Sequence, residues 1–277
     1  MSRGGATKRF IKRKAAVFGL VTFLVILAMT FAADLFLPAK DGEMNLSMSL
    51  RPPSIDHPFG TDTFGRDILY RILHGARISL SIGFLARTLS LVLGLGLGIL
   101  SGYVGGKVDS VIMRLADITF AFPTLLLLIA ITAVLTPGIV PLFVALGVVG
   151  WAAMARIVRG MVMSVKTKEF VQAARASGAG HFSLIFRHIL PESISPVIVV
   201  YTLGLGMTIM AEASLSFLGL GIQAPTPSWG KMISTGIPFL RTAPWLTFFP
   251  GLFLTLTVCS LNLIGDGLRD AFDIRRD

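Results

Sequence analysis

Residues 15–37 read AAVFGLVTFLVILAMTFAADLFL, with Asp34 as the one charge. A helix needs roughly 20 predominantly apolar residues to cross the hydrocarbon layer of a bilayer, and this run supplies them. Five further runs share its character, over about 78–103, 119–135, 140–157, 194–218 and 245–264. Lipid offers the backbone no hydrogen-bond partner, so each run must close its own ladder as a helix. These runs predict an all-α integral membrane protein with about six transmembrane helices. Composition agrees: only 14% of residues are charged, against about 25% in soluble domains.

The first run resembles a signal peptide in place but not in length. Its apolar stretch exceeds the roughly 7–15 residues of a typical signal core, and Ala32-Ala33-Asp34 is a poor cleavage site. It is read as an uncleaved helix whose N-terminus lies in the cytoplasm. Residues 1–37 then form the N-terminus and first span, and 38–77 a polar external segment. Residues 78–265 form a five-helix core, and 266–277 a cytoplasmic tail.

The distribution of charge sets the orientation. The net charge of +10 would suggest nucleic acid in a soluble protein. Here the basic residues sit in short segments beside apolar runs, as in cytoplasmic membrane loops. With the N-terminus inside, the inner segments hold 17 of the 25 Lys and Arg, the outer ones 7, and Arg87 lies within the second helix. Inversion would reverse that bias, so both termini are placed inside. Cys259, the single cysteine, excludes an intrachain disulfide and is expected as a small buried residue. His57, His74, His181 and His188 fall on two sides of the membrane and make no metal set.

Gly94, Gly98, Gly102 and Gly106 recur every four residues, with Gly96 between. That spacing aligns small residues on one helix face, where another helix approaches closely. No G-x-x-x-x-G-K-[ST] run occurs, so a nucleotide site of the Walker type is excluded. The chain offers no serine–histidine–acid constellation and is read as a non-enzyme.

The longest inner loop, 158–194, carries the clearest functional signal. Residues 167–176 read as a short helix with small side chains at Ala173, Ala174 and Ala176. Gly178 terminates it, since glycine readily takes the left-handed conformation after a helix. A second amphipathic helix, about 181–189, is expected to end before Pro191. Two short helices with a small-residue face form a docking element for a soluble partner.

This loop resembles the cytoplasmic motif of bacterial ABC-importer permeases, E-A-A, three residues, G, nine residues, I-x-L-P. Ala173, Ala174, Gly178, Leu190 and Pro191 fall at matching positions. Gln172 stands in place of the glutamate and His188 in place of the isoleucine. Gln172 still hydrogen-bonds but carries no charge toward an ATPase. Further segments resemble the dipeptide, oligopeptide and nickel permease family: His57-Pro58-Phe59-Gly60-Thr61-Asp62, Gly65-Arg66-Asp67 with Arg71, 75–80, 211–221, 225–230 and 262–270. The whole is similar to the "C"-type subunit of a dipeptide permease pair.

The resemblance implies the type I ABC importer permease fold with a cytoplasmic coupling-helix loop, in a bacterial inner membrane. It implies a second permease subunit as a heterodimer partner, two ABC ATPases on the coupling loops, and an external substrate-binding protein. It also implies that this chain binds no cofactor, ATP and magnesium residing on the ATPases. Di- or oligopeptides are the first substrate class, nickel or its chelates the second, glutathione the third. An ion-gradient-driven carrier is the competing class; it tends to show repeated halves and intramembrane carboxylates.

Several residues admit two readings. Arg87 faces the path or pairs with Glu212, or else snorkels to the outer interface. Glu212 lines the path or pairs structurally. Asp62, Arg66 and Asp67, in the segment with Gly60 and Gly65, form a local ionic network or contact substrate. Trp229 anchors at the interface or meets the binding protein.

Overall fold

The computed structural model describes residues 3–36 and 44–272. Helix α1 spans Arg3–Lys12 and α2 Lys14–Phe36; the expected end of the first span at residue 37 lies outside the described residues. After a 3-10 turn at Leu46–Met48, α3 runs 37 residues, Ile68–Val104. It starts ten residues earlier than the hydropathy suggests. The Asp67 carboxylate accepts from the Tyr70 amide at 2.8 Å, the capping contact that begins a helix. The charges of Arg71 and Arg77 hide this turn in the sequence. In the fold, Arg71 is buried beside Asp62 at 3.5 Å, and Arg77 donates to the Thr30 and Phe31 carbonyls of α2.

The third span also differs from the expected straight helix. The segment read as an inner loop is α4, Gly106–Phe120, and it meets α5, Thr124–Val134, at 89°. Pro123, at the break, biases the preceding residue away from helix. Alone, α5 has 11 residues, a rise of about 17 Å, so only the bent pair together is long enough to count as a span. Helices α6 (Ile139–Val165) and α7 (Glu169–Ala176) follow.

Helix α8 is one rod from His181 to Phe217, where two separate helices were expected around Pro191. Residues Leu184–Ile189 form a π-type turn. That wider turn shifts the hydrogen-bond ladder just before Pro191, which has no N–H to give it. Helix α9 (Trp229–Gly236) lies in the outer segment, and α10 spans Trp245–Phe272. Five helices are long and apolar enough to cross a membrane, and the bent α4–α5 pair makes a sixth. The chain is a multi-pass membrane protein.

The glycine row does pack helices. A Cβ on Gly98 would sit 2.7 Å from the Ala155 carbonyl oxygen, and one on Gly102 2.8 Å from that of Arg159. Gly94 faces Met154 as closely, whereas Gly96 points to open space. The α3–α6 seam therefore uses Gly94, Gly98 and Gly102. Gly106 does not belong to it: a Cβ there would meet nothing within 4 Å, and it begins α4 at φ +57°.

Two further expectations are corrected. Trp229 is fully buried, and its Nε1 donates to the Ile72 carbonyl at 3.1 Å. It is a core residue of the α2–α3–α8–α9–α10 cluster, not an interfacial anchor. Cys259 lies on an exposed face of α10.

Candidate functional site

The loop at 158–194 is built on α6. Val171 of α7 and Leu184 and Ile189 of α8 are fully buried with Met154, Val158 and Val162. Three apolar anchors thus fix both arms of the loop to one end of the bundle. Polar contacts add to this. Lys166 Nζ donates to the Gly102 carbonyl at 2.6 Å. Tyr103 Oη lies 2.6 Å from His181 Nδ1, and Lys168 pairs with Glu192 at 3.0 Å. Arg159 Nη2 donates to Asp109 Oδ2 at 2.6 Å, tying α4 to α6.

The end of α7 follows from Gly178. It adopts φ +87°, where a side chain would meet its own backbone. Its amide donates to the Arg175 carbonyl at 3.0 Å, and the Ala179 amide to the Ala174 carbonyl at 3.1 Å. This bond pair is a Schellman closure. Gln172 Nε2 donates to the Lys166 carbonyl at 2.8 Å, so the residue replacing the motif glutamate ties α7 to the end of α6. Gln172, Ala173, Gly178 and Pro191 are exposed, and Ala174 and Leu190 half-buried. Sequence reasoning missed Phe182 and Phe186. They stack at 4.9 Å, 79% and 51% exposed, beside the small-residue helix in the chain. Their four-residue spacing on one helix face was the available signal.

The two intramembrane charges are not partners. Arg87 is buried, and its Nη2 donates to the Val200 carbonyl at 2.6 Å and its Nε to the Tyr201 carbonyl at 3.3 Å. It turns inward onto α8 and does not snorkel. Glu212 is fully buried, and its Oε1 accepts from Ser216 Oγ at 2.7 Å.

Residues 44–67 form a compact cap over the start of α3. Asp62 Oδ2 accepts from Arg66 Nε at 2.8 Å and lies 3.5 Å from Arg71 Nε. Its Oδ1 accepts from the Phe64 and Arg66 amides at 2.8 and 3.0 Å. Asp67 caps α3 and lies 2.8 Å from His57 Nδ1. Gly60 and Gly65 both take positive φ. At Gly60 a Cβ would strike the Arg51 carbonyl oxygen and the Trp245 ring, so that position accepts glycine alone. Among the described residues, no three His, Cys, Asp or Glu side chains converge on a metal position.

Comparison with known proteins gives a consistent set. Residues 94–277 match the family described as binding-protein-dependent transport system inner membrane component. Residues 4–53 match the N-terminal TM domain of oligopeptide transport permease C. The dipeptide transport system permease protein DppC of Alkalihalophilus pseudofirmus is 46% identical over 268 residues, covering 97% of this chain and 88% of the relative. The oligopeptide transport system permease protein OppC of Bacillus subtilis is 44% identical, with the same coverage. The glutathione transport system permease protein GsiD of Pectobacterium atrosepticum is 40% identical, covering 96% and 89%. Among solved structures, a chain of the MetNI methionine ABC transporter in an inward facing conformation superposes with TM-score 0.60. It is 19% identical and covers 74% of this chain and 98% of its own. This last likeness establishes a shared fold, that of the type I ABC importer permeases.

Proposed function

The chain belongs to the family of binding-protein-dependent transport system inner membrane components, and on that premise we propose that it is a permease subunit of an ABC importer for di- or oligopeptides. The relatives' names support the substrate class, since dipeptide, oligopeptide and glutathione, itself a tripeptide, are all short peptides. The observation that carries the coupling role is the α7–Gly178–α8 element. It exposes small residues to the cytoplasm and is anchored into α6 by Val171, Leu184 and Ile189.

In this reading a second, different permease subunit completes the path. Two cytoplasmic ABC ATPases, holding ATP and magnesium, dock on the coupling loops, and an external binding protein delivers peptide. Both termini face the cytoplasm of a bacterial inner membrane. ATP binding stabilises one arrangement of the ATPases over another, and the docked loops pass that bias to the helices.

Gly178 gives the test. Proline there loses the amide bonded to Arg175 and cannot reach φ +87°. Gly178→Pro is expected to leave membrane levels normal and reduce ATP-driven peptide uptake in reconstituted vesicles at least tenfold. Full uptake by that variant would refute the coupling role of the loop. Uptake by the wild-type chain alone, driven by an ion gradient without ATP, would replace the importer reading with that of a carrier.

A further inference from the structure

A cavity of about 370 Å³ opens on the outer side between the cap at 44–66 and the start of α9. Three cations line it, Arg66, Arg71 and Lys231, against one anion, Asp62. That anion is spent: both its oxygens accept bonds from Arg66 and the loop backbone, and Arg71 stands beside it. Among the described residues, Lys231 Nζ has no ion-pair or hydrogen-bond partner. The lining thus carries a net charge of about +2 and a lysine without a counter-ion, a potential that selects an anion.

We propose that this cavity is a socket for a carboxylate side chain, aspartate or glutamate, presented by the external substrate-binding protein. The inference rests on the importer reading above and names the chemistry of one contact within it. Three observations favour a docked protein over a passing peptide. Ile68, Met232 and Leu246 line the cavity and are buried, so this apolar floor gives a solute no way inward. Exposed apolar residues stand with the charges: Phe64 is 44% exposed and Met44 62% exposed. Aromatic, Met and Arg side chains are the types enriched in protein–protein interfaces. Phe64 also packs against the cap's own charge, with the Arg66 guanidinium 4.7 Å above its ring. A carboxylate entering beside Lys231 and Arg66 gains charge-assisted bonds, and the surrounding apolar rim excludes water from them.

The test measures the Kd between the whole transporter complex in nanodiscs and the peptide-loaded external binding protein that stimulates its ATPase. Size exclusion of the complex serves as the folding control. Lys231→Glu is expected to weaken binding about tenfold or more, Lys231→Met by less, and Lys231→Arg hardly at all. The wild-type Kd is expected to rise with salt, and more steeply than that of Lys231→Met. An assembled Lys231→Glu complex that binds with the wild-type Kd overturns the proposal. So does a variant whose Kd is unchanged but whose uptake needs more peptide, since that outcome assigns the socket to the substrate's own carboxylate. If no external binding protein binds the wild-type complex, the importer reading itself fails, and that result is distinct from a defect confined to Lys231.

Discussion

At the level of single residues, the buried charge of Arg87 holds two helices together through backbone oxygens. Arg87 spans from α3 to the Val200 and Tyr201 carbonyls of α8, oxygens adjacent to Gly204. A side chain at Gly204 would collide with the guanidinium. Arg87→Met leaves those carbonyls without their cationic donor. Hydrogen bonds to charged groups contribute about 1.5–3 kcal/mol each, so this variant should lower the unfolding temperature of the detergent-purified complex measurably. Arg87→Lys, with one point donor in place of a planar fork, should fall between. Equal thermal stability in all three would mean that the contact contributes little.

At the level of elements, the α3–α6 seam makes an internal contrast available. Gly98→Val puts branched carbons against the Ala155 carbonyl and Val158, and overpacking of this kind costs about 1–3 kcal/mol. Gly96→Ala, on the same helix, meets nothing within 4 Å and should change little. Loss of assembled complex in the first and not the second, followed by size exclusion, checks the assignment. The seam was legible in the sequence because a four-residue repeat has one structural meaning in an apolar run. The end of α7 was legible for a similar reason: Gly178 follows a run of good helix formers. Helix α4 was not. Lys107, Asp109, Arg114 and Asp117 give it the composition of a loop, and its order comes from the partners Arg159 and Arg156 together with the buried Ile112 and Ala116. Trp229 was misread because a tryptophan with one polar handle suits an interface and a core equally; the Ile72 carbonyl decides for the core. The continuity of α8 through Pro191 was hidden because proline usually ends a helix, and the π-type turn that accommodates it leaves no mark in the hydrophobic pattern.

For the whole molecule, contacts between distant segments sort into two faces. Arg13 pairs with Asp270 and donates to the Asp266 carbonyl at 3.0 Å, which brings the N-terminal and C-terminal segments to one side. The Tyr103–His181, Lys166–Gly102 and Lys168–Glu192 contacts gather around the 158–194 loop. Trp245 Nε1 donates to Thr61 at 3.3 Å, and the Trp229–Ile72 bond lies in the same outer layer. Sidedness can be read directly. In a Cys259→Ser background, Ser54→Cys should react with a membrane-impermeant maleimide added to intact cells. Ser177→Cys should react only after the membrane is opened. The reverse pattern would invert the topology drawn from the charge distribution.

The unbroken path of α8 has a mechanical meaning. Its 37 residues would extend about 55 Å if straight, from the 158–194 loop past the Val200 and Tyr201 carbonyls held by Arg87 to the buried Glu212 and the opposite end of the bundle. A hinge at Pro191 would have let the loop swing while the span stayed still. With the π-type turn in its place, residues 181–189 are continuous with the span, and Arg87 grips Val200 and Tyr201 roughly midway between them and Phe217. A displacement at residues 181–189 would be carried along this helix toward Phe217, and the π-type turn and Pro196, the proline inside the helix, are the two places whose stiffness sets how much of it arrives.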